Sequence, residues 1–372
     1  MSYCRQKSKG LYTHLGLRQE AYRLLEKEEA PMHEKDLYAA IDLHSNNNFL
    51  AIIDQKDHRL CEKRLKNEMS EVLTALAPFK ERIHAIAVES TFNWYWLVDG
   101  LQDAGYDVLL VNTSAVRQYE GLKHSDDRHD AYWLAHLMRL GILPTGHIHP
   151  REHRALRDLL RKRMSLVQQR TANILSVQNL QQRNEGVRMT TTQIKAQSTK
   201  TIAKSVSDPN RAMALRSTQS IILALDEQIA QIERAVLRQV RPDTTWKLLM
   251  TVWGIGPILA TTIRLEAGDL GRFAEVGDFV SYCRCVSSER MSNGKKKGQG
   301  NVKNGNQYLC WAFVEAANFA IRGYEVARGY YHRKASKTNT ILARKALAHK
   351  LARASFFVMR EKQPFLPERL FG

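Results

Sequence analysis

The chain has 372 residues, long enough for roughly two or three domains that each bury a core of their own. Its 56 lysine and arginine residues outnumber 38 aspartate and glutamate residues, and the resulting net charge of +18 favours polyanions such as nucleic acid. A hydrophobic content of 44% argues against a disordered basic tail. There is no apolar run of membrane-spanning length and no apolar signal core, so we expect a cytoplasmic protein.

The N-terminal part has the pattern of an α/β domain. Residues 1–35 have mixed charge and are treated as an N-terminal extension. In chain order we predict strands Leu37–Asp42, Phe49–Asp54 and His58–Leu65, helix Glu71–Phe79, strand Ile83–Glu89, helix Trp94–Ala104, strand Val108–Asn112 and helix Asp126–Leu140. Three strands followed by alternating helices and strands are typical of the ribonuclease H-like fold. We place this domain at residues 36–145.

Four acidic residues occupy telling positions in this domain. Asp42 and Glu89 each end a predicted strand, while Asp127 and Asp130 lie three apart on a predicted helix and share one face. Carboxylates brought together in this way make a hard, oxygen-rich pocket that suits Mg²⁺ or Mn²⁺. Such pockets serve phosphodiester chemistry. The alternative is four surface acids at the ends of strands and helices.

Histidine and aromatic side chains flank these acids. We interpret His44 and His129 as supporting or solvated groups rather than metal ligands. Trp94, Tyr95 and Trp96 lie at the start of a predicted helix. They are predicted to pack in the core, and stacking on nucleic-acid bases is the alternative.

A long glutamine- and arginine-rich stretch, residues 150–241, predicts two helices that double back on each other. Apolar residues recur at alternating spacings of three and four in Ile222, Leu225, Ile229, Ile232 and Val236. We therefore predict an antiparallel coiled-coil arm. The polar, threonine- and lysine-rich residues 184–210 are predicted to form a loop or flexible hinge.

One face of the arm is densely basic. Arg157, Arg161 and Arg163 are the positions that we predict to contact nucleic acid. A subunit interface or a merely solvated helix surface are the alternatives.

The C-terminal part, residues 242–372, is predicted to be mostly helical. Gly254 and Gly256, within VWGIGPILA, lie between two apolar helical segments. This arrangement is typical of a helix-hairpin-helix turn, whose backbone N–H groups can bind a phosphate, although any tight interhelical turn can use the same residues.

Five motifs together resemble one family. They are AIDLHS, ESTFNWYW, SDDRHDAYWLAHL, VWGIGPILA and SNGKKKGQGNVKNGNQYL. In this order and spacing, from Leu37 to Phe365, the chain resembles the insertion sequence 110 family of transposases, the DEDD group of bacterial mobile elements. The resemblance implies a RuvC-like N-terminal domain that binds divalent metal, Mg²⁺ or Mn²⁺, through the four acids. It favours Asp127 over the adjacent Asp126 as the third acid.

The resemblance also implies how the C-terminal domain acts. A serine in a glycine-containing loop is the family's nucleophile, and the matching position is Ser292, with Ser287 and Ser288 as alternatives. Basic residues near it are expected to offset phosphate charge, namely Lys295, Lys296, Lys297 and Lys303. The implied partners are donor and target DNA, a structured bridge RNA, and further copies of the chain, as a homodimer that joins into a tetramer. The implied location is the bacterial cytoplasm, in association with the nucleoid.

These observations predict an RNA-guided DNA transposase-recombinase. A serine hydroxyl is a weak nucleophile near neutral pH, so it requires activation by a base, a cation or a metal. One alternative is a RuvC-like junction nuclease that uses metal-activated water and forms no covalent link. A second is a basic RNA-binding scaffold without catalytic activity.

Overall fold

The structure is a computed structural model in which the described residues are 35–116, 127–198, 201, 206–240, 243–286, 289–299 and 304–371. The chain divides into two compact units, Met1–Ile148 and His149–Gly372. Each unit is described by itself below. The predicted extension at residues 1–35 lies outside the described residues except for Lys35, and the finer division into four segments remains a prediction.

The first unit contains a mixed five-stranded sheet. Its strand order is β3-β2-β1-β4-β5; β1 is antiparallel to β2 and parallel to β4, and β5 is parallel to β4. The strands are β1 (Leu37–Leu43), β2 (Asn47–Ile53), β3 (Arg59–Lys66), β4 (Ile83–Glu89) and β5 (Val108–Val111). The helices are α1 (Met69–Leu76), α2 (Tyr95–Asp103), α3 (Thr113–Val116) and α4 (Asp127–Arg139). This is the mixed α/β domain that the sequence predicts.

Helices cover both faces of the sheet because the central strands are apolar on both sides. Ile41 of β1 lies in one core with Leu76 of α1 and Leu97 of α2. The neighbouring Ala40 points to the other face, where it joins a second core with Leu134 of α4. Successive side chains of a strand alternate between faces, so the run LYAAIDL supplies both cores.

The two edges of this sheet differ in composition and length. At one edge, β3 carries five charged side chains, Arg59, Glu62, Lys63, Arg64 and Lys66. At the other edge, β5 has only 4 residues. Its last residue, Val111, forms an antiparallel bridge with Thr145, which lies in the segment after α4.

The second unit begins with two long helices, α5 (Arg151–Glu185) and, after a short helix, α7 (Pro209–Gln239). The buried side chains of the two helices meet in reverse order. Near the start of α5, Leu160 packs with Val236, whereas Ile174 packs with Leu215 and Ile222. The two helices are therefore antiparallel, as expected, while a supercoiled geometry remains a prediction.

Part of the expected hinge at 184–210 is a helix. After Gly186 ends α5 in the left-handed region, α6 (Thr191–Ala196) begins with a capping box between Thr190 and Gln193. Buried Gln219 of α7 donates to the carbonyl oxygen of Ile194 over 3.0 Å. The loop prediction was wrong at these residues because the hydrogen bonds that hold α6 come from a residue far along the chain.

The remaining helices form one core with a hairpin at its edge. Its helices are α8 (Thr244–Leu249), α9 (Pro257–Ala267), α10 (Val276–Tyr282), α11 (Gln307–Gly323), α12 (Glu325–Lys337), α13 (Thr340–Glu361) and α14 (Glu368–Phe371), and its strands are β6 (Glu289–Ser292) and β7 (Lys295–Gln299). Ala316 and Ala320 of α11 leave room for the turn before α9. Among the residues that the structure describes, no helix is long and apolar enough to cross a membrane.

Candidate active site

Two of the predicted acids lie side by side at the ends of the central parallel strands. Ile41 of β1 is in register with Val88 of β4, so the next residues along the strands, Asp42 and Glu89, are neighbours. Asp42 is only 3% exposed. Glu89 is half-buried and accepts a hydrogen bond from the backbone N–H of Leu43.

Helix α4 brings a third carboxylate to the same edge. Ala131 packs against Phe49 and Ala51 of β2, which holds the start of the helix on the sheet beside β1. Asp130 is the preceding residue, and its charge acts on Glu89. Asp127 is the first residue of α4; its side chain lies outside the described part of the structure.

The far end of α4 is fixed by one ion cluster. Asp57 lies in the turn between β2 and β3, 2.9 Å from Nδ1 of His136 and 2.7 Å from Nε of Arg139. These contacts lower the pKa of Asp57 below its usual value, against the opposing effect of burial. The helix that carries Asp130 is therefore held at both ends.

Asparagine side chains hold the turn that follows Asp42. Asn67 Nδ2 donates to the carbonyl oxygen of His44 over 3.0 Å, and Asn93 Nδ2 donates to the same oxygen over 3.0 Å. The β1–β2 turn is thus tied both to the end of β3 and to the loop after Glu89. This framework orients the strand ends that carry the two acids.

Burial and like charge raise the pKa of Glu89 to about 8. The largest cause is burial, followed by the hydrogen bond with Asp42 and then the negative charges of Asp42 and Asp130. Near neutral pH, Glu89 therefore keeps its proton instead of adding a further negative charge. Crowded carboxylates of this kind are typical of catalytic and metal-binding sites.

The donor set fits a hard divalent cation. Asp42 Oδ2 is buried without a hydrogen bond from any described residue, although it lies 3.1 Å from Nε2 of His44. All the acidic donors are carboxylate oxygens, which Mg²⁺ and Mn²⁺ prefer. Within the described residues, no three histidine, cysteine or acidic side chains are already grouped closely enough to hold a metal. The type of donor atom and the proximity of the acids therefore suit such a cation, but the described side chains do not form a complete set of ligands.

Ser292 lies at the tip of a hairpin in the second unit. It is the last residue of β6 and is paired in register with Lys295, the first residue of β7. Between them, Asn293 and Gly294 have φ of 50° and 70°. An Asn-Gly pair with positive φ is the usual two-residue hairpin turn. The hairpin leaves Ser292 exposed.

The predicted lysines fall on the same hairpin. Lys295 and Lys297 are exposed on β7, and Lys296 lies between them. The structure thus brings an exposed serine and exposed cationic residues together at the hairpin tip. Lys303 and the alternative nucleophiles Ser287 and Ser288 lie outside the described residues.

Two of the predicted nucleic-acid contacts have a buried protein partner instead. Arg157 Nε lies 2.9 Å from Oε2 of Glu266, and Arg161 Nε lies 2.6 Å from Oε1 of the same residue. Glu266 is 1% exposed. Asn306, which caps α11, donates to Glu266 over 2.7 Å. These arginines join the arm to the helical core of their own unit.

The partners of Glu266 set its charge. Burial raises the pKa of Glu266, but the hydrogen bond from Arg161 and the charges of Arg157 and Arg161 outweigh burial, so the net pKa is below the usual value. Glu266 is therefore ionised and fully paired. A guanidinium held by a buried carboxylate is not available to phosphate, so we do not propose Arg157 or Arg161 as a DNA contact.

The other predicted contacts also have structural roles. Arg163 pairs with Glu233 over 2.5 Å, across the two long helices. Gly254 has φ of 78°, and a Cβ there would lie 2.0 Å from the carbonyl oxygen of Ala316. Gly254 is therefore required for packing. Gly256 caps the N-terminus of α9 and has open space around it.

The aromatic cluster after Glu89 is split between core and surface. Trp94 is 9% exposed and lies edge-on to Tyr95, with ring centroids 4.5 Å apart. Trp96 also packs against the first core. These three residues are therefore core, as predicted. By contrast Phe92, which the sequence analysis did not single out, is 86% exposed.

Comparison with known proteins now defines the class. The DEDD transposase profile of the IS110 type matches residues 39–183, which include all four predicted acids. A second profile, transposase IS116/IS110/IS902 family, matches residues 246–332 and includes Ser292. A transposase is an enzyme that cuts and rejoins DNA, and its DEDD domain implies divalent-metal dependence in general. The two matches together span well over half of the chain, which therefore belongs to the IS116/IS110/IS902 family of transposases.

Individual relatives agree. A probable family 20 transposase of Pseudomonas aeruginosa is 26% identical over 280 residues, covering 73% of this chain and 80% of that protein. The transposase for insertion sequence element IS1328 of Yersinia enterocolitica is 28% identical over 145 residues, 38% of this chain and 43% of that protein. A putative transposase of Sinorhizobium fredii is 26% identical over 239 residues, 60% of this chain and 55% of that protein.

Proposed function

We propose that this transposase is a DNA recombinase in which Asp42, Glu89, Asp127 and Asp130 hold divalent metal and Ser292 is the nucleophile. The observation that carries the proposal is the crowding of Asp42, Glu89 and Asp130, which leaves Glu89 with a pKa of about 8. A divalent cation, Mg²⁺ or Mn²⁺, would relieve this repulsion by replacing the proton of Glu89. When bound, the metal supplies charge stabilisation at the phosphate.

The hairpin supports the serine role. Ser292 is exposed at the hairpin turn, opposite Lys295, so its hydroxyl can reach a phosphodiester outside the fold. In the proposed step, Ser292 Oγ bonds to phosphorus as the bond from phosphorus to one deoxyribose oxygen breaks. The hydroxyl proton passes to a base, and the leaving oxygen takes up a proton. The phosphoserine link keeps the phosphoester available for rejoining to a second strand.

The partners follow from the class and the resemblance. A net charge of +18 favours binding to the phosphate backbones of donor and target DNA. Guidance by a structured RNA, and assembly of the chain into dimers and tetramers, are taken from the family resemblance. Ser292 and the acids belong to different compact units. The proposal therefore requires that they act on the same phosphate, within one chain or between chains.

A search for covalent protein–DNA adducts tests this proposal. The full chain is expressed together with the DNA that flanks its gene, so that any guide RNA is supplied, and modified peptides are identified by mass spectrometry. We expect a nucleotide on the peptide that contains Ser292, and its loss in Ser292→Ala and in Asp42→Asn. Ser336→Ala, at an exposed serine of α12 in the same unit, is the matched control and should keep the adduct.

The alternatives give different results. Cut DNA without an adduct on any serine would favour a nuclease that uses activated water. An adduct on Ser287 or Ser288 would keep the class of reaction but move the nucleophile. DNA binding without any cutting, under all divalent metals tried, would favour the scaffold.

A further inference from the structure

The loop that follows Glu89 presents one aromatic ring to solvent. We call residues 90–93 the rim loop. Its Phe92 is 86% exposed, the highest value among the large apolar side chains of the described residues. Exposing a phenylalanine ring forgoes the stabilisation that burial of its apolar surface would give, roughly 1.5–3 kcal/mol. The ring is therefore fully available to a ligand.

The rim loop is fixed rather than loosely attached. Thr91 N–H donates to the carbonyl oxygen of Glu89 over 3.0 Å, and the side chains of Thr91 and Asn93 are joined over 2.9 Å. Asn93 in turn binds the carbonyl oxygen of His44, and buried Trp94 anchors the next position. The backbone on both sides of Phe92 is thus held, so the outward position of the ring is built into the fold.

Phe92 is also close to the candidate metal centre. It follows Glu89 by three residues, so their Cα atoms are at most roughly 11 Å apart. Asn93 ties the same loop to His44, two residues after Asp42. A ring at this place stands beside the phosphate that the acids and their metal would bind.

The chemistry around the ring favours a nucleobase. The acidic cluster of Asp42, Glu89 and Asp130 does not attract phosphate unless a cation is present, whereas an uncharged ring attracts the face of a base. Aromatic side chains that stack on bases are common in proteins that bind single-stranded or opened nucleic acid. A single projecting ring can hold one base that has left the duplex stack.

We propose that Phe92 stacks on an unstacked base of the DNA next to the phosphate that is cut. This inference rests on the proposed function, because the DNA strand is placed by the same acids. It adds a binding residue that selects opened or distorted DNA over intact duplex. Because every base presents an aromatic face to the ring, its contribution is expected to be largely independent of base identity.

Binding without cutting tests this directly. The full chain, purified with any RNA expressed from the DNA that flanks its gene, is mixed with a duplex that contains a short unpaired bubble. Ca²⁺ replaces Mg²⁺, and 2-aminopurine is placed at each bubble position in turn. We expect the wild type to quench fluorescence at one position. Phe92→Ala should lose that quenching and bind the bubble DNA roughly 5- to 100-fold more weakly, whereas Phe92→Trp should retain both.

A matched control separates stacking from general effects. Phe319→Ala removes another exposed ring, 49% exposed, from helix α11 in the other unit and should change neither signal. Equal binding and quenching by Phe92→Ala and wild type would overturn the inference, even if the protein cuts DNA. If Phe92→Ala loses the quenching but the wild type cuts no DNA with Mg²⁺ or Mn²⁺, the stacking role of Phe92 would be upheld and the proposed function contradicted. A wild type that binds no DNA would overturn both.

Discussion

This transposase surrounds carboxylates with opposite environments in its two units. In the first unit, Glu89 lies among other acids, and its pKa is raised to about 8. In the second, Glu266 is more completely buried, yet its pKa is lowered because Arg157 and Arg161 pair with it. Burial alone therefore does not decide the charge of an acid; the sign of its neighbours does.

The difference separates a structural site from a candidate reactive one. Glu266 is fully satisfied and holds three segments of the second unit together, so nothing remains for it to bind. The negative charge of the Glu89 carboxylate is neutralised by a proton, which a cation can replace. Perturbed acids without a cationic partner are the usual mark of a functional site.

The largest effect is expected at the acidic centre. Asp42→Asn removes a carboxylate that the proposal assigns to metal, so strand cleavage should fall by about 10³-fold or more while DNA affinity changes little. Cleavage of end-labelled DNA and binding by fluorescence anisotropy measure the two quantities.

Asp107→Asn is the matched control for this change. Its side chain is 74% exposed on the same unit, and the substitution should leave cleavage unchanged. Cleavage by Asp42→Asn at the wild-type rate would contradict the assignment.

The converse change, at the structural centre, should act on stability. Glu266→Ala leaves buried Arg157 without its partner and is expected to lower the free energy of unfolding by about 3–5 kcal/mol. Urea unfolding of the full chain, followed by circular dichroism, measures this loss. Glu227→Gln, an exposed acid of α7, should change the free energy by less than about 0.5 kcal/mol. Similar values for the two variants would show that the cluster contributes nothing.

The two centres should also respond oppositely to pH. The usual pKa of glutamate in an unfolded chain is about 4.5, so between that pH and about 8 the unfolded chain has lost a proton that folded Glu89 keeps. The metal-free protein should therefore lose stability as pH rises through this window, and Mg²⁺ or Mn²⁺ should reduce the loss. Glu266, with its lowered pKa, stabilises above the unfolded pKa and loses that contribution as the pH falls through its folded value.

Variants separate the contributions of Glu89 and Glu266 to the pH dependence of stability from those of the other titrating groups. Thermal unfolding at several pH values is compared between wild type, Glu89→Gln and Glu266→Gln. Glu89→Gln should remove part of the loss of stability that the wild type shows as the pH rises, and also the stabilising effect of Mg²⁺ or Mn²⁺. A pH dependence identical to that of the wild type would show that Glu89 does not keep its proton.

The smallest expected effect concerns hydrogen-bond geometry. Arg161→Lys keeps the positive charge near Glu266 but loses the two-pronged contact, so unfolding should become easier by about 1–2 kcal/mol. The same urea titration measures it, with Lys162→Arg on the exposed side of α5 as control. A loss as large as that of Glu266→Ala would mean that stacking of the Arg161 guanidinium over the Tyr308 ring, rather than pairing with Glu266, dominates.

Local patterns in the sequence predicted the sheet and the acids well. Apolar runs that end in Asp42 and Glu89 are visible without any partner, and the observed β4 (Ile83–Glu89) has the predicted bounds. The i, i+3 spacing of Asp127 and Asp130 likewise follows from the helix alone. Whether these residues act as a metal site remains a prediction.

Long-range pairing was not visible. Nothing near Arg157 or Arg161 indicates that both pair with Glu266, more than 100 residues away. A dense arginine stripe has the same appearance whether it faces phosphate or a buried acid. The one signal was an acid within the largely apolar helix PILATTIRLEA.

Phe92 escaped notice for a related reason. Four aromatic residues within five positions, Phe92, Trp94, Tyr95 and Trp96, look alike in sequence. Only the packing of α2 on the sheet shows which of them face inward. An asparagine directly before an apolar helix, as at Asn306, was a readable capping signal, but its bond to Glu266 was not.

The two edges of the sheet have a consequence for how the enzyme is handled. An open edge strand is a template for strand addition by a neighbouring molecule, which leads to intermolecular β-sheet and fibres. Here β3 opposes such addition with its charged side chains, and β5 is short and bridged at Val111 by Thr145. We therefore expect the first unit to resist β-type aggregation even at the high concentrations that biophysical measurements require.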